Sequence, residues 1–150
     1  MRPLQKGYPR MIRYPIGASE QRLIFTKEVT NHFFAHRQTH WWHREAGGQL
    51  FARFELPDII VVEATGPRRS DHRTRYSYYP NRRAEQREIV ERHRSGLHFI
   101  GDWHTHPVDV PTPSNDDVDS MVELVTRSKH ALNAFVLVII GGPTFPPVSQ

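Results

Sequence analysis

The segment that decides the fold is Gly101–Pro107, which reads GDWHTHP and completes an apolar run that begins at Leu97. Such a run predicts a buried β-strand, in which successive side chains point to opposite faces of the sheet. His104 and His106 are two residues apart, so their imidazoles share one face and lie close enough to bind one ion. Pro107 has no amide hydrogen for the sheet ladder, and the strand is predicted to end there.

A second polar segment, Ser114–Asp117, reads SNDD and follows a proline-containing loop. Ser114 is predicted to begin a helix that carries Asp117 on its first turn and runs to Arg127. Two imidazoles and one carboxylate, with a fourth position open to water, form the ligand set of a catalytic zinc site. Ser-x-x-Asp is also an ordinary capping box at a helix start, so this segment by itself does not identify a metal site.

The two segments together resemble the JAMM signature of the JAB/MPN/Mov34 metalloprotease family. That signature is His-(Ser/Thr)-His, seven residues and Ser-x-x-Asp, and it is matched position by position by His104, Thr105, His106, Ser114 and Asp117. The resemblance implies one Zn²⁺ per chain, bound by His104, His106 and Asp117. It also implies that the Ser114 hydroxyl donates a hydrogen bond to the oxyanion formed during hydrolysis.

The segment Glu45–Gly48 reads EAGG and opens a strand that is predicted to reach Phe54. The family places its catalytic glutamate at the start of such a glycine-containing strand, so the resemblance implies that Glu45 is the general base that activates water. Composition alone does not distinguish Glu45 from Glu55 or Glu63. Glycine inside a strand often marks the close approach of another chain or a ligand.

The substrate class follows from the same resemblance. It implies hydrolysis of an isopeptide or peptide bond after the C-terminal tail of a ubiquitin-like protein. Within the family, Glu45–Gly48, Gly66–Ser70 and Gly101–Pro107 are most similar to bacterial JAB proteins encoded beside E1- and E2-like enzymes in anti-phage defence or mobile-element operons. The expected partners are therefore a ubiquitin-like protein or its conjugate, together with such E1- and E2-like enzymes.

Two further segments are candidates for binding. In the basic loop that runs from Gly66 to Arg75, Arg68 and Arg75 are expected to bind substrate, because guanidinium groups recognise carboxylates. The alternative interpretation is a solvated loop without a specific role. The adjacent Trp41 and Trp42 form either an exposed binding surface or, more commonly, a pair of which one packs beneath the sheet.

The composition excludes several classes of protein. The 150 residues include no cysteine, which excludes disulfides, thiolate zinc sites and cysteine-protease chemistry, and argues against a zinc nucleobase deaminase. The formal charge of +4 permits a nucleic-acid or acidic-protein partner without requiring one. The sequence shows no signal peptide and no apolar run long enough to span a bilayer. We therefore expect a soluble cytoplasmic protein without a membrane or nucleic-acid partner.

Predicted helices and strands alternate, which indicates an α/β domain with a mixed β-sheet flanked by helices. Residues 1–19 are predicted to form an irregular arm with at most one short strand, and residues 20–150 a single JAB/MPN-like domain, for which the resemblance implies a cytidine-deaminase-like architecture. Further strands are predicted over Arg22–Phe25, Asp58–Ala64, Arg75–Tyr79 and Leu132–Ile140, and helices from the Thr26 cap to about Gln38 and over Asn81–Arg94. The last strand is apolar throughout and is expected to be central and covered on both faces.

Three alternative functions remain open from the sequence. The first is a hydrolase of the DNA-repair-associated JAB branch, whose motif is similar. The second is a non-catalytic MPN scaffold, although such scaffolds typically lose the metal ligands that this chain keeps. The third is a basic nucleic-acid-binding module that uses the arginines of the Gly66–Arg75 loop; its affinity would fall steeply with salt.

Overall fold

The computed structural model describes residues 11–15, 20–107, 122–128 and 134–141. The strands in these ranges are β1 (Ile12–Pro15), β2 (Arg22–Phe25), β3 (Gly47–Glu55), β4 (Asp58–Ala64), β5 (His72–Arg73), β6 (Tyr78–Tyr79), β7 (His98–Thr105), β8 (Val122–Ser128) and β9 (Ala134–Ile140). The helices are α1 (Lys27–Ala35) and α2 (Arg82–Arg94). Within the described ranges, no helix has the length and apolar character needed to cross a membrane.

Seven strands form one mixed sheet in the order β1-β2-β4-β3-β7-β9-β8, and β5 and β6 form a separate two-stranded ribbon. The pairs β2–β4 and β7–β9 are parallel, and the other neighbours in the large sheet are antiparallel. The predicted α/β class with a mixed sheet is confirmed. The short strand allowed for the amino-terminal arm is β1, which extends the sheet beyond β2.

Both helices begin at a side-chain cap, of which the sequence predicts the one at Thr26. The Thr26 hydroxyl accepts a hydrogen bond from Val29 N, and the Asn81 side chain accepts one from Ala84 N. Helix α1 ends at Ala35, three residues before the predicted end. It packs on one face of the sheet, where Phe33 contacts the fully buried Trp103 with ring centroids 5.4 Å apart.

Helix α2 covers the opposite face. The Arg92 guanidinium lies over the ring of Phe51 in β3, 5.5 Å from its centroid. Buried hydrophobic side chains on the α1 face form the main core: Leu23, Phe25, Val29, Phe33, Ala46, Leu50, Ala52, Ile59, Val61, Ile100, Trp103, Val136, Val138 and Ile140. The sheet is therefore held by an apolar layer on the α1 side.

The structure corrects the prediction for the carboxy-terminal third. The helix predicted to run to Arg127 is wrong over its last part, because residues 122–128 form β8, which pairs antiparallel with β9 from Val122↔Ile140 to Ser128↔Ala134. The apolar spacing used for the helix is compatible with a β-branched strand, and pairing with β9 decides between the two. Ser114 and Asp117 lie outside the described residues.

Two other strand predictions also need correction. Strand β9 lies between β7 and β8 and is an inner strand as predicted, but Phe135 on its second face is 40% exposed, so that face is not covered along its whole length. The strand predicted over Arg75–Tyr79 is reduced to Tyr78–Tyr79, which pairs with His72–Arg73.

The glycines that open β3 accommodate the protein's own chain. A Cβ atom on Gly48 would lie 1.7 Å from the carbonyl oxygen of Thr65. That same carbonyl accepts a 2.8 Å hydrogen bond from the indole Nε1 of Trp103. The glycine therefore allows the loop after β4 to cross directly against β3.

A nearly buried polar cluster joins this loop to α2. The Arg68 side chain is 12% exposed and forms ion pairs with Glu88 and with the fully buried Asp71. Burial alone would raise the pKa of Asp71, but hydrogen bonds from Arg68 N, Asn81 N and the Tyr78 hydroxyl, together with the Arg68 charge, lower it. The Arg68 guanidinium thus neutralises two carboxylates that the fold has removed from water.

We expect Arg68→Ala to lower the free energy of unfolding by about 3 kcal/mol, because it leaves buried carboxylates without their partner. For a chain of this size the melting temperature should fall by roughly 6 to 12 °C. Thermal denaturation measures this, with Arg53→Ala as the matched control. Arg53 pairs with Glu55, and both side chains are 56% exposed, so its loss should leave the melting temperature nearly unchanged. Equal losses in both variants would contradict a structural role for Arg68.

Candidate active site

The pairing of β3 with β7 brings the backbone of the predicted base close to two of the predicted metal ligands, His104 and His106. Gly47 pairs with His104 and Gly48 with Trp103, and Thr105 N donates a 2.8 Å hydrogen bond to Ala46 O. Glu45 precedes Gly47 by two residues and His106 follows His104 by two, so extending the register places Glu45 opposite His106. Opposite residues of an antiparallel pair project to the same face. Glu45, His104 and His106 therefore share one face of the sheet.

The two histidines converge. Their Nε2 atoms lie 3.0 Å apart, and their ring centroids are separated by 4.8 Å. The end of their strand is fixed on both sides, since Thr105 N bonds to Ala46 O and His106 N donates a 2.9 Å hydrogen bond to Ile140 O. Burial, and then the neighbouring His106, lower the pKa of His104 to about 4. At neutral pH the His104 ring is therefore uncharged, the form in which a histidine binds metal.

This pair fits a metal ion. Two imidazole nitrogens bound to one tetrahedral zinc ion at the usual distance are separated by about 3.3 Å, close to the separation of these nitrogens. Among the described residues, no group of three His, Asp or Glu side chains converges on one point. The third ligand predicted from the sequence, Asp117, and the predicted oxyanion donor, Ser114, remain predictions.

Two hydrogen bonds fix the backbone of Glu45. Glu45 N donates a 2.7 Å hydrogen bond to Thr74 O, and Arg73 Nε donates a 2.6 Å bond to Glu45 O. The residue is 8% exposed, and burial raises the pKa of its carboxyl above the usual range. A raised pKa suits a general base that works near neutral pH.

Glu55 and Glu63, which composition alone does not exclude as the general base, have surroundings different from those of Glu45. Glu63 accepts two hydrogen bonds of 3.0 Å from the Arg92 guanidinium, so its carboxylate is already paired. Glu55 lies at the far end of β3 and pairs with Arg53, with both side chains 56% exposed. These positions favour Glu45 as the base.

The two arginines predicted to bind substrate differ in their contacts. Arg68 is engaged with the internal carboxylates described above. Arg75 lies at the surface, where its Nη1 donates a 3.1 Å hydrogen bond to His40 O and its guanidinium stacks over Tyr76, 5.5 Å from the ring centroid. A role in substrate binding stays a prediction for both.

The loop that precedes Glu45 presents its tryptophans to solvent. Trp41 is 73% exposed and Trp42 is 58% exposed, so neither packs beneath the sheet. Tyr76, on the turn that Arg75 connects to this loop, is 71% exposed. Three large aromatic side chains thus lie at the surface on the chain segments that flank Glu45 and hold its backbone.

Sequence reasoning missed one buried side chain near the site. Gln38 is 1% exposed, and its Oε1 accepts a 2.9 Å hydrogen bond from the hydroxyl of Thr105, the residue between the two histidines. The two residues are 67 positions apart. A single glutamine after a helix carries no local signal for such a contact, so only the fold reveals it.

Comparison with known proteins agrees with the resemblance to the JAB family seen in the sequence. A family model described as "Prokaryotic homologs of the JAB domain" matches residues 26–149. The "CD-NTase/cGAS isopeptidase" of Escherichia coli (strain TW11681) is 24% identical over 125 residues, covering 81% of this chain and 78% of that protein. A protein of the same name from Enterobacter hormaechei subsp. hoffmannii (strain UCI 50) is 30% identical over 100 residues, covering 65% and 56%.

A further relative carries a metalloprotease name. The "Probable metalloprotease y4qB" of Sinorhizobium fredii (strain NBRC 101917 / NGR234) is 29% identical over 128 residues, covering 81% of this chain and 78% of that protein. The matched region of the family model includes Glu45 and both histidines, and extends over most of the chain. The chain therefore belongs to the family of prokaryotic homologues of the JAB domain.

Proposed function

We propose that this protein is a zinc-dependent isopeptidase or peptidase of the JAB type, which cleaves after the C-terminal tail of a ubiquitin-like protein. The observation that carries the proposal is the convergence of the His104 and His106 imidazoles at the end of β7, on a register that places the buried Glu45 opposite His106. Two facing imidazole nitrogens with a carboxylate on the neighbouring chain segment are suited to metal-assisted hydrolysis.

The proposed roles of the residues follow from their chemistry. His104, His106 and Asp117 would hold the zinc ion, which when bound acts as a Lewis acid and makes water acidic enough to react near neutral pH. Glu45 accepts a proton from the attacking water and later delivers it to the departing amine. The Ser114 hydroxyl donates a hydrogen bond to the developing oxyanion. The products are a C-terminal carboxylate and a free amine.

The names of the relatives support the substrate class. Two of them are named isopeptidases of CD-NTase/cGAS, and a third is named a metalloprotease. The chain spans 56% of the Enterobacter relative and 78% of the Escherichia relative. From these names we infer that the substrate is a conjugate of a ubiquitin-like protein. We also infer that E1- and E2-like enzymes are further partners in an antiviral defence system.

The proposal is tested with Glu45→Gln, which keeps the shape of the side chain but removes its basic group. Folding and zinc content should be retained, because Glu45 is not a ligand. Turnover should fall by roughly 10²–10⁴-fold, the usual contribution of a positioned general base. The measurements are zinc content, melting temperature and cleavage of a ubiquitin-like protein that carries an amide-linked fluorophore at its C-terminus.

Two matched variants make this result specific. His104→Ala should lose zinc as well as activity, and Glu63→Gln should retain both, since Glu63 is paired with Arg92. Near wild-type turnover in Glu45→Gln would assign the base to another residue. Loss of zinc from Glu45→Gln would make Glu45 a ligand and contradict the proposed site.

The surface position of Arg75 leads to a second kinetic prediction. We expect Arg75→Ala to raise KM several-fold with kcat and zinc content nearly unchanged, because a contact made equally in the ground and transition states affects only binding. The control is Arg69→Ala, which removes an exposed arginine of the same loop and should leave KM unchanged. A fall in kcat alone for Arg75→Ala would contradict a role in substrate binding.

A further inference from the structure

Gln38 lies just beyond the end of α1 and uses its side-chain amide fully. Its Oε1 accepts a 2.9 Å hydrogen bond from the Thr105 hydroxyl. Its Nε2 donates to two backbone carbonyls, Arg75 O at 2.9 Å and His43 O at 3.2 Å. Both amide hydrogens and the acceptor oxygen are thereby engaged in a site from which water is excluded.

One of these contacts leads to Glu45 through the metal-binding strand. The Thr105 hydroxyl accepts a 2.9 Å hydrogen bond from Ala46 N, while Thr105 N donates to Ala46 O. Thr105 thus holds both polar groups of the Ala46 backbone. The Thr105 hydroxyl uses its hydrogen to donate to Gln38. Its oxygen therefore stays available as the acceptor for Ala46 N, the amide next to Glu45.

The second contact leads to Glu45 from the other side. Gln38 holds the carbonyl of Arg75, and the preceding residue, Thr74, accepts the hydrogen bond from Glu45 N. The third contact holds His43, two residues before Glu45. Gln38 is therefore connected to His43 before Glu45, to the residue next to Thr74 and, through the Thr105 hydroxyl, to Ala46 after Glu45.

We propose that Gln38 is a positioning residue that fixes Glu45 relative to His104 and His106. This inference rests on the proposed function, since it concerns how the base of that reaction is held. Catalytic groups must stay within about 0.5 Å of their productive positions, and a displacement of 1 Å can cost about 100-fold in rate. A buried side chain that holds three backbone segments around one carboxylate supplies such a constraint.

The test uses Gln38→Met, which keeps the length of the side chain and removes its hydrogen bonds. We expect kcat to fall by about 10- to 100-fold, with zinc content and KM close to wild type. In the Glu45→Gln background the same substitution should produce no further fall, because the base that Gln38 positions is already absent. An equal fall in both backgrounds, or an unchanged kcat in folded Gln38→Met, would overturn the proposal.

A control variant on the same part of the fold distinguishes a loss of positioning from a general loss of stability. Thr30 is also fully buried, and its hydroxyl donates to Lys27 O within α1. Thr30→Val should lower the melting temperature without lowering kcat.

If Gln38→Met does not fold, Thr105→Val and Thr105→Ser replace it. The valine variant should lose kcat and the serine variant, which keeps the hydroxyl, should recover most of it; equal activities would overturn the proposal.

Amide hydrogen exchange gives a readout that needs no activity. In Gln38→Met, exchange at the amides of Glu45 and Ala46 should become faster, while exchange in β4 stays as in the wild type. Unchanged protection at both amides would overturn the inference. A wild-type protein that binds zinc but cleaves no ubiquitin-like substrate would contradict the proposed function, whereas faster exchange at these amides would still support Gln38 as the anchor of Glu45.

Discussion

The antiparallel pairing of β3 with β7 is the constraint on which the site depends. Its register sets Gly47 against His104 and so brings Glu45 next to His106. A slip of one residue would turn the Glu45 carboxylate to the other face, because strand side chains alternate with a period of two. The register is stabilised where the strand ends, by the bond from Thr105 N to Ala46 O and by the packing of Trp103 into the core.

The two faces of the sheet contribute to the structure in different ways: one through apolar packing and the other through ion pairs. On the α1 face, apolar side chains such as Phe33 and Trp103 are removed from water, each contributing roughly 1.5–3 kcal/mol. On the α2 face, Arg68 lies between Glu88 and Asp71 and compensates their desolvation. A buried ion pair adds little net stability, but it restricts the arrangement to the one in which each charge has its partner. The apolar face thus stabilises the sheet, and the polar face fixes the loop beside the site.

The site is joined to exposed aromatic side chains through hydrogen bonds rather than through apolar contact. Gln38 bonds to the His43 and Arg75 carbonyls, and Arg75 in turn bonds to the backbone of the loop that carries Trp41. The segments that present these aromatics are therefore the same segments that hold Glu45. A partner that binds there would contact a surface continuous with the backbone of Glu45, the proposed general base.

The sequence by itself determined the family, through its resemblance to the JAMM signature. It also determined the α/β class, the helix cap at Thr26 and the common face of His104 and His106, because these follow from local spacing and periodicity. It could not select Glu45 over Glu63 without the family resemblance, nor show that residues 122–128 form an edge strand. Only the tertiary structure paired Glu63 with Arg92, buried Arg68 among carboxylates and placed Gln38 against Thr105. These contacts join residues distant in sequence, so they depend on strand register and helix packing, which no local pattern encodes.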